Sequence, residues 1–107
     1  MDHRSDQVKA LANETRMEVL RLLTEPARHF SHQTSADPER TGVCIQLLAE
    51  HFAVSQPTMS RHVDLLRRAG FLVAERRQKW TYCLRDEAAL ADYAEWLKAT
   101  LRIEART

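Results

Sequence analysis

Apolar residues recur at helical spacing through most of the chain and switch to strand-like alternation in one short stretch. Residues 3–11 fit a short first helix, with Val8 and Leu11 facing inward. Asn13 is placed to cap "ETRMEVLRLL", where Met17, Leu20 and Leu23 share a face and Pro26 closes the helix. Residues 27–41, "ARHFSHQTSADPERT", have no period and are rich in turn-forming residues, so they read as a long loop. "CIQLLAEHF" then makes about two helical turns, with Ile45, Leu48 and Phe52 inward. "AVS" is a tight turn into the next helix. Ser55 caps it, and Pro57 is tolerated in its first turn because the missing N–H has no helical partner there. Met59, Val63, Leu66 and Gly70 follow at spacings of four, three and four, one face of a helix that Gly70 ends. "FLVAERR" and "KWTYCL" read as strands joined by a very short, glycine-free connection around Gln78. From Asp86 a last helix carries Leu90, Tyr93, Ala94, Leu97 and Leu101 on one stripe.

Helices, a helix–turn–helix, a hairpin and an end helix, in that order, make a mainly α fold. It is a winged helix-turn-helix with a two-stranded β-hairpin wing, expected to form a single domain over 1–107. That order gives the polar face of "SQPTMSRH" a meaning. At about 100° per residue, Pro57, Arg61, Asp64 and Arg68 lie opposite the apolar stripe, with Ser60 and Arg67 beside them. Taken alone, such a face is an ordinary solvated one. As the second helix of a helix–turn–helix, it enters the DNA major groove with its N-terminal residues at base edges. Gln and Arg make paired contacts to adenine and guanine, and Ser or Thr serve either. The expected DNA-binding set is Ser55, Gln56, Pro57, Thr58, Ser60, Arg61, His62 and Arg67, joined by Arg76, Arg77 and Lys79 on the hairpin for phosphates. His62 lies at the edge of the buried face, where packing or a phosphate contact outweighs base reading. Trp80 reads as an anchor of the wing to the core.

Charge sharpens this picture. The net charge of the 107 residues is only +1, but it is unevenly spread. Residues 1–52 carry six Lys/Arg against eight Asp/Glu, residues 53–82 six against two, and residues 83–107 four against five. The positive excess sits in the second helix of the helix–turn–helix and the hairpin, a modest electrostatic footprint for double-stranded DNA. No apolar run reaches the roughly 18 residues of a membrane span, and the polar N-terminus does not read as a signal peptide. With two cysteines, Cys44 and Cys83, a disulfide scaffold is not expected, and a reducing cytoplasm fits the composition.

Three segments together, "LANETRMEVLRLL", "GVCIQLLAEHFAVSQPTMSRHVDLLRRAGFL" and "ERRQKWTYCL", resemble the ArsR/SmtB family of bacterial winged-helix repressors across roughly residues 9–85. The resemblance implies a homodimer on an operator with two-fold symmetry, released by an inducer that is often a metal ion or metalloid. It also implies that the end helices, here residues 3–12 and 86–104, build the dimer interface. The residues placed for this are Val8, Leu11, Leu90, Tyr93, Leu97 and Leu101. A stripe of that kind can instead pack on its own core, but a domain this small gains from a shared one.

The chain departs from the family where the inducer matters. Against the family's metal box Glu-Leu-Cys-Val-Cys-Asp-Leu stand Gly42, Val43, Cys44, Ile45, Gln46, Leu47 and Leu48, so Gln46 replaces the second cysteine. One thiolate cannot supply the three or four ligands a soft ion needs. Residues 86–107 hold no histidine, so the family's other site, on the last helix, is missing too. His29 and His32, with Cys44, offer a weaker trio, though histidines in loops are common and the spacing alone proves little. Cys44 reads more simply as a small buried hydrophobe. No metal or cofactor is expected, and the inducer is left open.

Two other classes of function compete. A winged helix can serve as a protein-interaction module without its own operator, but such a face exposes more large apolar or aromatic side chains than this one. An enzyme has the least support. There is no nucleophile elbow or paired catalytic carboxylates, and two glycines leave little room for a phosphate-cradling loop.

Overall fold

The computed structural model describes residues 3–104; residues 1–2 and 105–107 of the expected 1–107 domain lie outside the described residues. Six helices and three strands run in the order α1 (His3–Leu11), α2 (Glu14–Leu22), α3 (Pro26–His29), β1 (Val43–Cys44), α4 (Ile45–Phe52), α5 (Gln56–Arg68), β2 (Leu72–Arg77), β3 (Trp80–Arg85) and α6 (Glu87–Leu101).

The helix starts follow side-chain chemistry. Asn13 accepts from the Arg16 N–H at 3.0 Å, Ser55 from Thr58 at 3.2 Å and Asp86 from Ala89 at 3.0 Å. Each supplies an acceptor to an N–H that has no partner inside its own helix. Gly70 takes φ +86°, a conformation open to glycine at little cost, and turns the chain from α5 into β2. Between α4 and α5, Ala53 closes the turn in the left-handed region at φ 54°.

The core lies where α2, α4 and α5 converge on the sheet. Val19, Leu48, Met59, Leu66, Phe71 and Cys83 are fully buried, and a Leu so placed contributes roughly 1.5–3 kcal/mol through removal from water. Helix α6 closes one side. Tyr93 meets Phe71 edge-on, with ring centroids 5.3 Å apart, and Asp86 N–H donates to the Phe71 carbonyl at 2.9 Å. Arg85 donates to the Leu20 carbonyl at 3.0 Å and joins the end of the wing to α2.

Several expectations are corrected. The wing has three antiparallel strands in the order β1-β3-β2, not two, because Val43 and Cys44 pair with Cys83 and Tyr82. Pro26 opens α3 instead of closing α2, as its first-turn position allows, and the segment expected to be all loop begins with that helical turn. Val8 is 46% exposed and Met17 50%, so neither faces inward. In α1 the inward positions belong to Ala10 and to Gln7, whose amide donates to the Ala69 carbonyl at 3.3 Å. A count of apolar positions misses an inward glutamine. The last helix ends at Leu101, which is exposed, and the buried stripe of α5 finishes on Ala69 with Gly70 half-buried.

The loop after α3 is built around another buried amide. Gln33 donates to the Ala36 and Gly42 carbonyls at 2.8 and 2.9 Å and accepts from the Cys44 N–H at 2.9 Å. All of its polar atoms are used, which fixes the loop onto β1. Tyr82 adds a hydroxyl hydrogen bond to Ser35 at 2.8 Å.

Candidate nucleic-acid interface

Ser55, Gln56, Pro57, Thr58 and Arg61 are exposed on α5, and Ser60 and His62 are half-buried at its flanks. Ser55 is spent on the cap: besides accepting from Thr58 N–H, its hydroxyl donates to Thr58 Oγ1 at 2.9 Å. Gln56, Ser60 and Arg61 make no side-chain hydrogen bond or ion pair with the described residues. Their donors and acceptors are therefore available to a ligand. The C-terminal half of α5 differs. Asp64 takes Arg67 at 2.8 Å and Arg68 at 2.9 Å, and the Arg67 hydrogen bond, with both positive charges, holds its carboxyl below the usual carboxylate range. Arg67 is thus shared with Asp64 and lies about 16 Å along the helix from Gln56 at 1.5 Å per residue.

In the wing, alternation sorts the basic residues onto two faces. Arg77 lies on the same side as Glu75 and contacts it at 3.3 Å. Arg76 lies on the other side and has no ion pair among the described residues. Gln78 makes the short turn at φ 54° without glycine. Lys79 stands over the half-buried Trp80 ring at 5.2 Å, so the aromatic side chain holds the cation at the tip of the wing, in the turn between β2 and β3.

Arg16 makes a set of contacts that the pattern of hydrophobic residues could not show. From α2 its guanidinium donates to the Ala10 carbonyl at 2.6 Å and the Lys9 carbonyl at 3.2 Å, at the end of α1. It also reaches Nδ1 of His62 on α5 at 3.1 Å. Because arginine can only donate, His62 must be the tautomer protonated on Nε2. Burial, then the charges of Arg16 and Arg61, lower the His62 pKa from 6.5. The unfolded chain binds this proton more readily than the folded one, so the contribution to stability is complete above 6.5 and is lost as pH falls from there through the folded value. The expected result is a stability decline over that window that His62→Asn, an acceptor that does not titrate, makes shallower. Denaturant midpoints at a series of pH values check it, and parallel profiles for the two proteins would contradict it.

His29, His32 and Cys44 are not brought together: among the described residues no three His, Cys, Asp or Glu gather where they could hold a metal ion. His32 is exposed beside Phe30, whereas Cys44 is buried. Burial, with Cys44 nearby, pushes the Cys83 thiol up to about 12, far from a reactive thiolate. Among the described residues, no helix is long and apolar enough to cross a membrane.

No protein-family model matches the chain. The fold is shared with the crystal structure of the ArsR family transcriptional regulator RHA00566, at TM-score 0.71 and 20% identity over 98% of this chain and all of that one. The HTH-type transcriptional regulator YbzH of Bacillus subtilis is 40% identical over 93 residues, 87% of this chain and 93% of its own. The chain belongs to the ArsR family of transcriptional regulators. As an ArsR-family chain it places its helix–turn–helix at α4 and α5 and its wing at the sheet β1-β3-β2. The homodimeric winged helix-turn-helix domain Mb0332 of Mycobacterium bovis, solved in solution, has the same fold at TM-score 0.62 and 20% identity, over 99% of this chain and 86% of that one.

Proposed function

We propose that this ArsR-family regulator is a homodimeric, sequence-specific repressor. In this reading the first turns of α5 read the major groove of a two-fold symmetric operator. Gln56, Thr58, Ser60 and Arg61 face the bases. Arg76, Arg77 and Lys79 on the wing hold phosphates, and Arg67 serves a phosphate farther along. Exposed apolar residues of α1 and α6 join the two copies, and an inducer releases the dimer from DNA.

The observation that carries the reading is the contrast along α5. Its first turns leave the Gln56 amide, the Ser60 hydroxyl and the Arg61 guanidinium without partners among the described residues, while both arginines of its last turn pair with Asp64. A face that served only solubility has no reason to divide in this way.

Arg61→Ala tests it. Loss of a paired base contact is expected to cost about 1–3 kcal/mol on the operator and to relax sequence preference. Gln56→Ala and Ser60→Ala should shift preference in the same sense with smaller losses. Binding to operator and to scrambled DNA at several salt concentrations checks this. Equal losses on both DNAs for Arg61→Ala would show that the face does not read sequence.

A further inference from the structure

A cleft of about 350 Å³ lies between the helix–turn–helix and the wing. Gln46 lines it from the first turn of α4, Gln56 and Ser60 from α5, and Arg76 and Lys79 from the wing, with Trp80 at its base. No carboxylate is among its lining residues. Arg76 makes no ion pair with the described residues, and Lys79 is held only over the Trp80 ring. Two cations and several neutral donors therefore converge on a space with no internal anion. The cleft calls for an anionic ligand with several acceptor oxygens.

We infer that this cleft seats one phosphodiester group of the DNA backbone, held by Arg76, Lys79 and Gln46, and that Gln46 is a positioning residue for the recognition helix. This rests on the DNA-binding reading above and deepens it. A backbone strand passing between a helix in the major groove and a wing beside it must cross this gap. Gln56 and Ser60 form the wall that the cleft shares with the base-reading face. One phosphate fixed here therefore sets how far α5 enters the groove. Arg77, on the opposite side of the wing and shared with Glu75, is not part of this seat.

The test uses the full chain, a duplex selected by the wild-type protein from a random pool, and a scrambled duplex of equal composition. Gln46 and Arg76 are exposed, so their variants should fold. Arg76→Ala is expected to weaken both duplexes by a similar factor and to reduce the slope of log affinity against log salt by about 0.9, one phosphate's worth. Arg77→Ala should reduce it less. Gln46→Glu, which sets a negative charge against the phosphate, should weaken both duplexes about tenfold or more. Gln46→Ala and Arg76→Ala combined should lose less than the product of their separate losses, since both act on one group. Independent losses, or wild-type binding by Gln46→Glu, would each overturn the seat. Those outcomes would leave the DNA-binding reading standing. A wild-type protein that enriches no duplex would overturn both. Inorganic phosphate at constant ionic strength should compete only weakly. If it displaced DNA at sub-millimolar concentration, the cleft would be a site for a free anion and the inference would fail.

Discussion

Replacing Val8 and Leu101 together with glutamate is expected to convert the protein to monomers and to lower operator affinity at least about a hundredfold. Val8 on α1 is 46% exposed and Leu101 on α6 is 62% exposed, so both present apolar surface that the single chain does not cover. Putting four carboxylates into a two-fold interface costs desolvation and like-charge repulsion. Binding then loses the advantage of a linked second half-site, on the order of 10²–10⁴ in affinity. The point substitutions matter because Tyr93, also expected at the interface, is buried against Phe71 in its own chain. Truncation before Asp86 would strip that ring from the core and unfold the domain along with any dimer. Sedimentation of the double variant, with its helical signal as a folding control, checks the expectation. A folded variant that stays dimeric would move the interface elsewhere.

Gly42→Ala is expected to be the most damaging single methyl in the chain. Gly42 sits at φ +103°, and a Cβ there would meet the Cys83 carbonyl oxygen at 2.4 Å and its carbon at 2.7 Å. Backbone, not a flexible side chain, is in the way. The substitution must separate β1 from β3 and disturb the Gln33 bond to the Gly42 carbonyl. A loss of roughly 2–4 kcal/mol follows from conformational strain plus the clash. Gly70→Ala is the control: φ is +86°, but the nearest atom to a new Cβ is His3 Cε1 at 3.8 Å, so only about 1 kcal/mol of strain is expected. Urea unfolding of both variants decides it. A Gly42→Ala loss no larger than that of Gly70→Ala would mean that the strands do not approach this closely.

The caps at Asn13 and Ser55, the register of apolar residues in α5 and the two long strands of the wing are legible in the sequence, because each depends on neighbours within a turn or a hairpin. What escaped depends on contacts far apart in the chain. Gln7 and Gln33 are polar residues in buried positions, paid for by hydrogen bonds to Ala69 and to Gly42 and Cys44. A hydrophobic pattern marks such positions as exposed. Pro26 fits the stop of one helix and the start of the next equally well, and only the packing of α3 decides between them. Charge counting has no faces and treats the basic hairpin residues as equivalent. Pleating puts Arg76 toward the cleft and Arg77 beside Glu75. In the sequence Gln46 stands out only as a missing cysteine. Its place in the cleft depends on the wing folding back over α4, 30 and more residues later in the chain.

In the proposed reading, two copies of this chain present the first turns of α5 to two halves of one DNA site. Selection of binding duplexes from a random pool by the wild-type protein, with stoichiometry measured on the enriched sequence, tests it most directly. The expected result is an inverted repeat whose half-sites lie about one helical turn or a multiple of it apart, bound by two chains, with Arg61→Ala losing the preference at a defined position in each half. Enrichment of no sequence, or of a single asymmetric site bound by one chain, would contradict it.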